Sequence, residues 1–129
     1  MGTARDEPPR PPYFLVYEAS DEARRSPLTI AAAGRGAIPL FTSAEHARDF
    51  LRSTDFGADW EPEQVSPEAL VAALEAHRGL VEYVAHDPPP AGESGARVRM
   101  GRLADLSDAL RERARSEMGL FDIGRPDLN

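Results

Sequence analysis

Cysteine and lysine are both missing from this sequence of 129 residues. Without cysteine the chain has no disulfide, no thiolate nucleophile and no sulfur-ligated metal site. Without lysine it has no Schiff-base amine and no Walker-type phosphate lysine. All 15 basic residues are arginine, which we interpret as a coding bias toward GC-rich codons. These two absences remove several common catalytic chemistries before any motif is considered.

Long hydrophobic runs and a positive charge balance are absent as well. No apolar run approaches the ~20 residues of a membrane-spanning helix, and the N-terminal residues lack the basic-then-apolar order of a signal peptide. We therefore expect a cytoplasmic protein. The net charge of −7 repels nucleic acid and anionic membranes at long range. A protein partner with a neutral or basic surface fits this charge better.

The length matches a single ordinary domain. Residues 1–12 are rich in proline and offer little apolar surface before Tyr13, so we predict a disordered tail there. The remaining residues, 13–129, are predicted to form one α+β domain.

The first half of this domain has the pattern of three strands and a helix. Strands are predicted at residues 13–19, 28–33 and 38–41, and the glycine turn at 34–36 joins the last two as a hairpin. Pro39 cannot donate a ladder hydrogen bond, which favours an edge position for the third strand. A capping box formed by Thr42 and Glu45 then predicts a helix whose buried stripe is Ala44, Ala47, Phe50 and Leu51.

The second half has the pattern of two helices and two strands. Ser66 as cap and Pro67 at the first position begin a helix, and Gly79 closes it while Leu80 folds back on its last turn. Strands follow at 80–86 and 97–100, and a last helix is predicted to end at Gly119. The sequence thus predicts an α+β fold with a mainly antiparallel sheet of four to five strands packed by three helices.

Several short motifs resemble the N-terminal domain of the SseB family over roughly residues 13–90. They are a strand ending in Pro39-Leu40-Phe41-Thr42-Ser43, a helix with the pattern Ala47-x-x-Phe50-Leu51, a second helix, and Gly79-Leu80-Val81 running on to a proline. The resemblance implies a small α+β domain whose biochemical activity is not established, and it transfers no catalytic residue.

Three histidines are the conventional candidates for metal binding or proton transfer: His46, His77 and His86. None has a second ligand at metal-binding spacing, since the position four residues after His46 is Phe50. We therefore predict neither a metal site nor a cofactor.

One histidine has carboxylates nearby. In an extended strand Glu82 and His86 share a face, and Asp87 follows directly. This arrangement suits a general base held by a carboxylate, so a small hydrolase or isomerase using Glu82, His86 and Asp87 is one hypothesis. The simpler interpretation is that strand ends carry polar residues, and we favour a protein that is not an enzyme.

The only tryptophan lies in an acidic segment, residues 53–63, that is predicted to be a loop. An aromatic ring among carboxylates suits an arginine-rich partner. The candidate partner-binding residues are accordingly Asp55, Asp59, Trp60, Glu61 and Glu63. Alternatively, the Trp60 side chain packs inward and holds the loop against the core.

Basic residues concentrate in the C-terminal third of the chain. They interleave with acids, and we interpret the set as a salt-bridged surface made of Arg97, Arg99, Arg102, Arg111, Arg113 and Arg115 with Asp105, Asp108 and Glu112. These observations together predict a non-catalytic protein-binding or interaction module. An acidic inhibitor or immunity-type protein that covers a basic surface stays open, as does a homodimer.

Overall fold

The computed structural model describes residues 9–19, 26–32, 34–54, 56, 59–90 and 98–123. In chain order its elements are β1 (Tyr13–Glu18), β2 (Ile30–Ala32), β3 (Arg35–Leu40), α1 (Ala44–Arg52), β4 (Trp60–Val65), α2 (Pro67–Ala76), β5 (Tyr83–His86), β6 (Arg99–Arg102) and α3 (Leu103–Ile123). Three helices and two mainly antiparallel sheets confirm the predicted α+β class. Within the described residues, no helix combines the length and the apolar character needed to cross a membrane.

The larger sheet has four strands in the order β2-β3-β5-β6, and the smaller one pairs β1 with β4. Among the described strands, only β3 and β5 are parallel to each other, with Ile38 opposite Val84. The predicted hairpin is confirmed, since β2 and β3 are antiparallel and Gly34 takes a φ of 78° in the turn. The two sheets meet where Phe14 and Phe41 exchange backbone hydrogen bonds of 2.8 and 3.0 Å.

The edge position predicted from Pro39 is wrong, because β3 lies between β2 and β5. Pro39 itself is buried and faces Ala85 of β5. The short β2 pairs with β3 only as far as Ala37, so no strand of the larger sheet flanks Pro39 on that side. A proline is tolerated there because its missing N–H leaves no ladder bond unmade.

The first helix begins one residue later than the predicted capping box. Ser43 is its N-cap, and the Ser43 hydroxyl accepts a hydrogen bond of 3.2 Å from the backbone N–H of His46. Thr42 is not the cap because its hydroxyl donates to the Asp87 carboxylate. The predicted buried stripe is confirmed at three positions, Ala47, Phe50 and Leu51.

The predicted acidic loop is wrong in its second half, where residues 60–65 form β4. This strand is antiparallel to β1 and places Trp60 opposite Glu18 and Glu63 opposite Leu15. Among the described strands β4 pairs with β1 alone, so Pro62 is acceptable at this edge. This strand could not be predicted from the local sequence, because its partner β1 lies far away along the chain.

The second helix begins as predicted, since the Ser66 hydroxyl accepts from the backbone N–H of Ala69 at 3.0 Å and Pro67 follows. Its end differs from the prediction. Leu80 does not fold back on the helix, and its side chain is 80% exposed. Val81 packs against the core in its place, next to the turn at Gly79, which has a φ of 90°.

The last helix begins directly after β6 and continues past Gly119 to Ile123. A polar cluster joins α3 to α2. The Glu75 carboxylate accepts hydrogen bonds from Ser107 at 2.6 Å, from Arg78 at 2.8 Å and from Arg111 at 3.2 Å. Ser107 is fully buried, so its hydroxyl depends on Glu75 for a partner.

The core has two large parts, one on each face of the β1–β4 ribbon. Tyr13 and Leu15 of β1 pack with α2 and α3, in a cluster that also contains Leu40, Leu70, Leu74, Val84, Leu103, Leu106 and Leu110. Val16 packs on the other face with α1, in a cluster that contains Leu28, Phe41, Ala47, Phe50 and Leu51. Burial on both faces accounts for the bulky residues at successive positions of β1.

One residue of the predicted disordered tail is held by the domain. The Pro9 carbonyl accepts hydrogen bonds from the Tyr13 hydroxyl at 2.6 Å and from the Arg113 guanidinium at 3.3 Å. Residues 1–8 lie outside the described residues, so disorder in the tail stays a prediction for them.

Candidate functional site

A cavity of about 440 Å³ opens where the parallel strands β3 and β5 end. Ligands of α/β proteins commonly bind at the carboxyl ends of parallel strands. We call this cavity the strand-end cleft. Its polar lining residues are Thr42, His86, Asp87, Arg99, Arg102 and Asp105, and its apolar ones include Leu40, Leu106 and Ala109.

Asp87 shapes this cleft from the end of β5. Its backbone has a φ of 42°, in the left-handed region that Asp adopts more readily than most residues. The backbone N–H donates to the Leu40 carbonyl at 2.8 Å. The carboxylate accepts from the N–H of Thr42 at 2.9 Å and from the Thr42 hydroxyl at 2.8 Å. Asp87 therefore ties the ends of β3 and β5 together.

His86, the last residue of β5, is half-buried in the cleft. Its ring lies against the backbone of Gly101, because a Cβ on this glycine would be 3.2 Å from the His86 Nε2. Burial lowers the pKa of His86 below its ordinary value of 6.5, the positive charge of Arg99 lowers it further, and the negative charge of Asp87 partly offsets both. The lowered pKa consequently favours the neutral imidazole.

Arg99 of β6 lies directly opposite His86 in the strand register. Sequence reasoning assigned Arg99 to a salt-bridged surface together with Arg97, which lies outside the described residues. The Arg99 side chain makes no ion pair or hydrogen bond with any residue that the structure describes. Its place beside His86 follows from the pairing of β5 with β6, which no local sequence signal reveals.

Glu82 is not among the residues that line the strand-end cleft. It is exposed and precedes β5, because the strand begins at Tyr83 and not at the predicted residue 80. Its carbonyl accepts from the N–H of Leu103 at 2.8 Å. Glu82 lines a separate cavity of about 380 Å³ together with Leu80. The structure thus brings His86 and Asp87 to one cleft and places Glu82 at another.

The second predicted site corresponds to a groove of about 670 Å³ between α1 and β4. We call it the Trp60 groove, and its lining includes Arg48, Leu51, Arg52, Trp60, Glu61 and Pro62. Trp60 is half-buried, and its ring meets the Phe56 ring edge-on at 6.3 Å between centroids. The residue is therefore both an anchor of the core and part of an open surface.

The predicted partner-binding residues are only partly brought together. Trp60 and Glu61 line the groove, and the exposed Asp59 immediately precedes them. Glu63 lies opposite Leu15, on the other face of the ribbon from Trp60. Asp55 lies outside the described residues.

In the part of the chain that the structure describes, no three His, Asp or Glu side chains are grouped so as to hold a metal ion.

We compared the chain with protein-family models and with curated proteins, and nothing matches. The resemblance of residues 13–90 to the SseB N-terminal domain therefore stays a prediction. The geometry of the two clefts is the basis for a functional proposal.

Proposed function

We propose that this protein is a non-catalytic protein-binding module of the SseB-like type, and that its partner binds the Trp60 groove. The observation that supports this role is the half-buried Trp60 at a groove of about 670 Å³. Tryptophan is enriched among the residues that dominate binding energy at protein interfaces. One side of the Trp60 ring packs on Phe56.

The charge of the whole protein favours a partner segment with basic side chains. At the groove, Arg52 is paired with Asp49 of the same helix at 2.9 Å, and the nearby acids Asp59 and Glu61 are exposed. The net charge of −7 adds long-range attraction for a basic protein and repulsion for nucleic acid and anionic membranes. The proposed partner is thus a protein, and the proposed location is the cytoplasm.

Side chains, and not the backbone of β4, are expected to make the contacts. The strand has a single neighbour among the described strands, but Pro62 interrupts its row of donors. Proline and charged residues at a sheet edge are common features that oppose pairing with another strand. A partner therefore binds across the groove and not as an added strand.

Two alternative roles, an inhibitor or immunity-type protein and a small enzyme, can be compared with the geometry of the two clefts. An inhibitor or immunity-type protein would use the same Trp60 groove, and differs only in what binding does to its target. A hydrolase or isomerase would need Glu82 beside His86, whereas these two residues line separate cavities. The binding role is therefore the one that we propose.

Affinity capture from a native lysate tests this proposal with matched variants. The bait proteins are the wild type, Trp60→Ala, the double reversal Asp59→Arg/Glu61→Arg, and the control reversal Glu82→Arg/Glu112→Arg, which changes the net charge equally. A protein identified by mass spectrometry should be retained by wild type and control and lost with both groove variants. Retention of every captured protein by Trp60→Ala would contradict the proposal.

A further inference from the structure

The strand-end cleft contains the imidazole of His86. His86 lines the cleft, and its ring makes no hydrogen bond with any residue that the structure describes. A neutral imidazole has one N–H donor and one acceptor nitrogen. Polar groups that are partly withdrawn from solvent are normally hydrogen-bonded to protein, water or ligand, since leaving them unpaired is unfavourable. A ligand in the cleft can supply such a partner.

A positive charge lies next to this imidazole. Arg99 is opposite His86 in the pairing of β5 with β6, and its charge acts on the ring. The guanidinium has no ion pair within the described part of the chain. One face of the cleft thus offers a guanidinium and a ring N–H side by side, and together these groups suit an oxyanion.

The negative charges in the cleft oppose an anion only weakly. The Asp87 carboxylate already accepts two hydrogen bonds from Thr42, which disperse its charge. Asp105 is exposed on the first turn of α3, where solvent and salt screen it. The remaining lining includes the apolar side chains of Leu40, Leu106 and Ala109.

We propose that the strand-end cleft binds a small organic anion. Its carboxylate or phosphate group lies between the Arg99 guanidinium and the His86 imidazole, and its apolar part packs on Leu106 and Ala109. The volume of about 440 Å³ is in the range of small-molecule sites, which combine apolar walls with a few polar groups. This ligand site is separate from the Trp60 groove and does not depend on the proposed partner.

NMR of the histidine rings in the full chain tests the site, because the chain has only three histidines. The probes are benzoate and phenyl phosphate, with benzyl alcohol as the neutral comparison. At least one anion should shift the His86 resonances saturably, leave those of His46 and His77 in place, and raise the pKa of His86 by about one unit or more. Whichever anion binds more tightly identifies the group as carboxylate or phosphate.

Variants separate the site from general anion binding. Arg99→Gln should weaken the affinity for the bound probe about tenfold or more, since it removes a charge-assisted hydrogen bond. Arg115→Gln, which removes an exposed arginine from α3, is the matched control and should leave the affinity unchanged.

A second variant tests the ring position without changing charge. Gly101→Ala adds a methyl group 3.2 Å from the His86 Nε2 and should also reduce probe affinity by displacing the ring. Circular dichroism verifies that this variant is folded. If it is not folded, the test depends on Arg99→Gln alone. The proposal is overturned if neither anion gives a saturable shift of His86, or if Arg115→Gln weakens binding as much as Arg99→Gln does.

Discussion

Asp87 and Thr42 are joined by two hydrogen bonds, one from the backbone N–H of Thr42 at 2.9 Å and one from its hydroxyl at 2.8 Å. The pair links the end of β3 to the end of β5 across 45 positions of sequence. It also holds one wall of the strand-end cleft, so the same contact serves the sheet and the candidate ligand site.

Asp87→Ala should destabilise the protein by about 2–4 kcal/mol, because it removes both acceptors and places alanine in a left-handed conformation. Asp87→Asn should cost less, since asparagine tolerates this backbone and keeps one acceptor oxygen. Urea unfolding of the two variants and the wild type measures the difference. Equal stability of all three would show that the Thr42 contact contributes nothing.

Phe50→Ala should lower the free energy of unfolding by about 3–5 kcal/mol, as is typical for a buried phenylalanine. Phe50 is buried beside Phe41, with 5.5 Å between ring centroids. Arg52→Ala on the same helix is the control, and should change stability by less than about 1 kcal/mol because its ion pair with Asp49 is exposed. Thermal melts of both variants give the comparison, and similar midpoints would remove Phe50 from the core.

The free energy of unfolding should decrease at acid pH, in part because Glu75 becomes protonated. The hydrogen bond from Ser107 lowers the pKa of Glu75 below its ordinary value of 4.5, and Arg78 and Arg111 lower it further. A carboxyl group whose pKa is lower in the folded state stabilises the protein above the unfolded pKa, and this contribution is lost as the pH falls through the folded one. The loss should therefore occur below pH 4.5.

Ser107→Ala provides the measurement for this prediction. The variant should be less stable than the wild type at pH 7, and the difference should shrink as the pH is lowered below 4.5, where Glu75 becomes protonated. Urea midpoints collected from pH 7 to pH 3 follow this change. A difference that stays constant across the whole range would mean that the Ser107 hydroxyl does not act through the Glu75 charge.

Fluorescence of the isolated protein should report a half-buried Trp60. Because this is the only tryptophan, the emission belongs to one site. Acrylamide should quench it measurably, but less than it quenches free tryptophan, since one side of the ring packs on Phe56. Blue-shifted emission that resists acrylamide would contradict an accessible Trp60 and leave the groove without its anchor.

The parts of the fold that sequence predicts correctly are those decided by neighbouring residues. The turn at Gly34 needs a positive φ, and the cap at Ser66 needs only the amide three residues ahead. The Thr42 cap was wrong because Asp87, far along the chain, competes for its hydroxyl. Likewise the acidic stretch starting at Trp60 becomes a strand only when β1 pairs with it.

In the candidate sites, too, contacts between sequence neighbours were predictable and contacts made by tertiary structure were not. His86 and Asp87 are neighbours in sequence and share the strand-end cleft. Placing Glu82 beside His86 assumed a strand that continues through residue 82, and the actual strand begins at Tyr83. Arg99 reaches His86 through strand pairing, which depends on the tertiary structure and has no periodic signal in the sequence.

The edge strand β4 has a consequence for how the chain folds. Long-range strand pairing is slow to form, because the intervening chain loses entropy before the contacts compensate for it. Until β1 docks, β4 is an unpaired strand that another chain in the same state could join. Pro62 and the acids Glu61 and Glu63 discourage such pairing. The residues that make this strand look like a loop therefore protect the folding chain from aggregation.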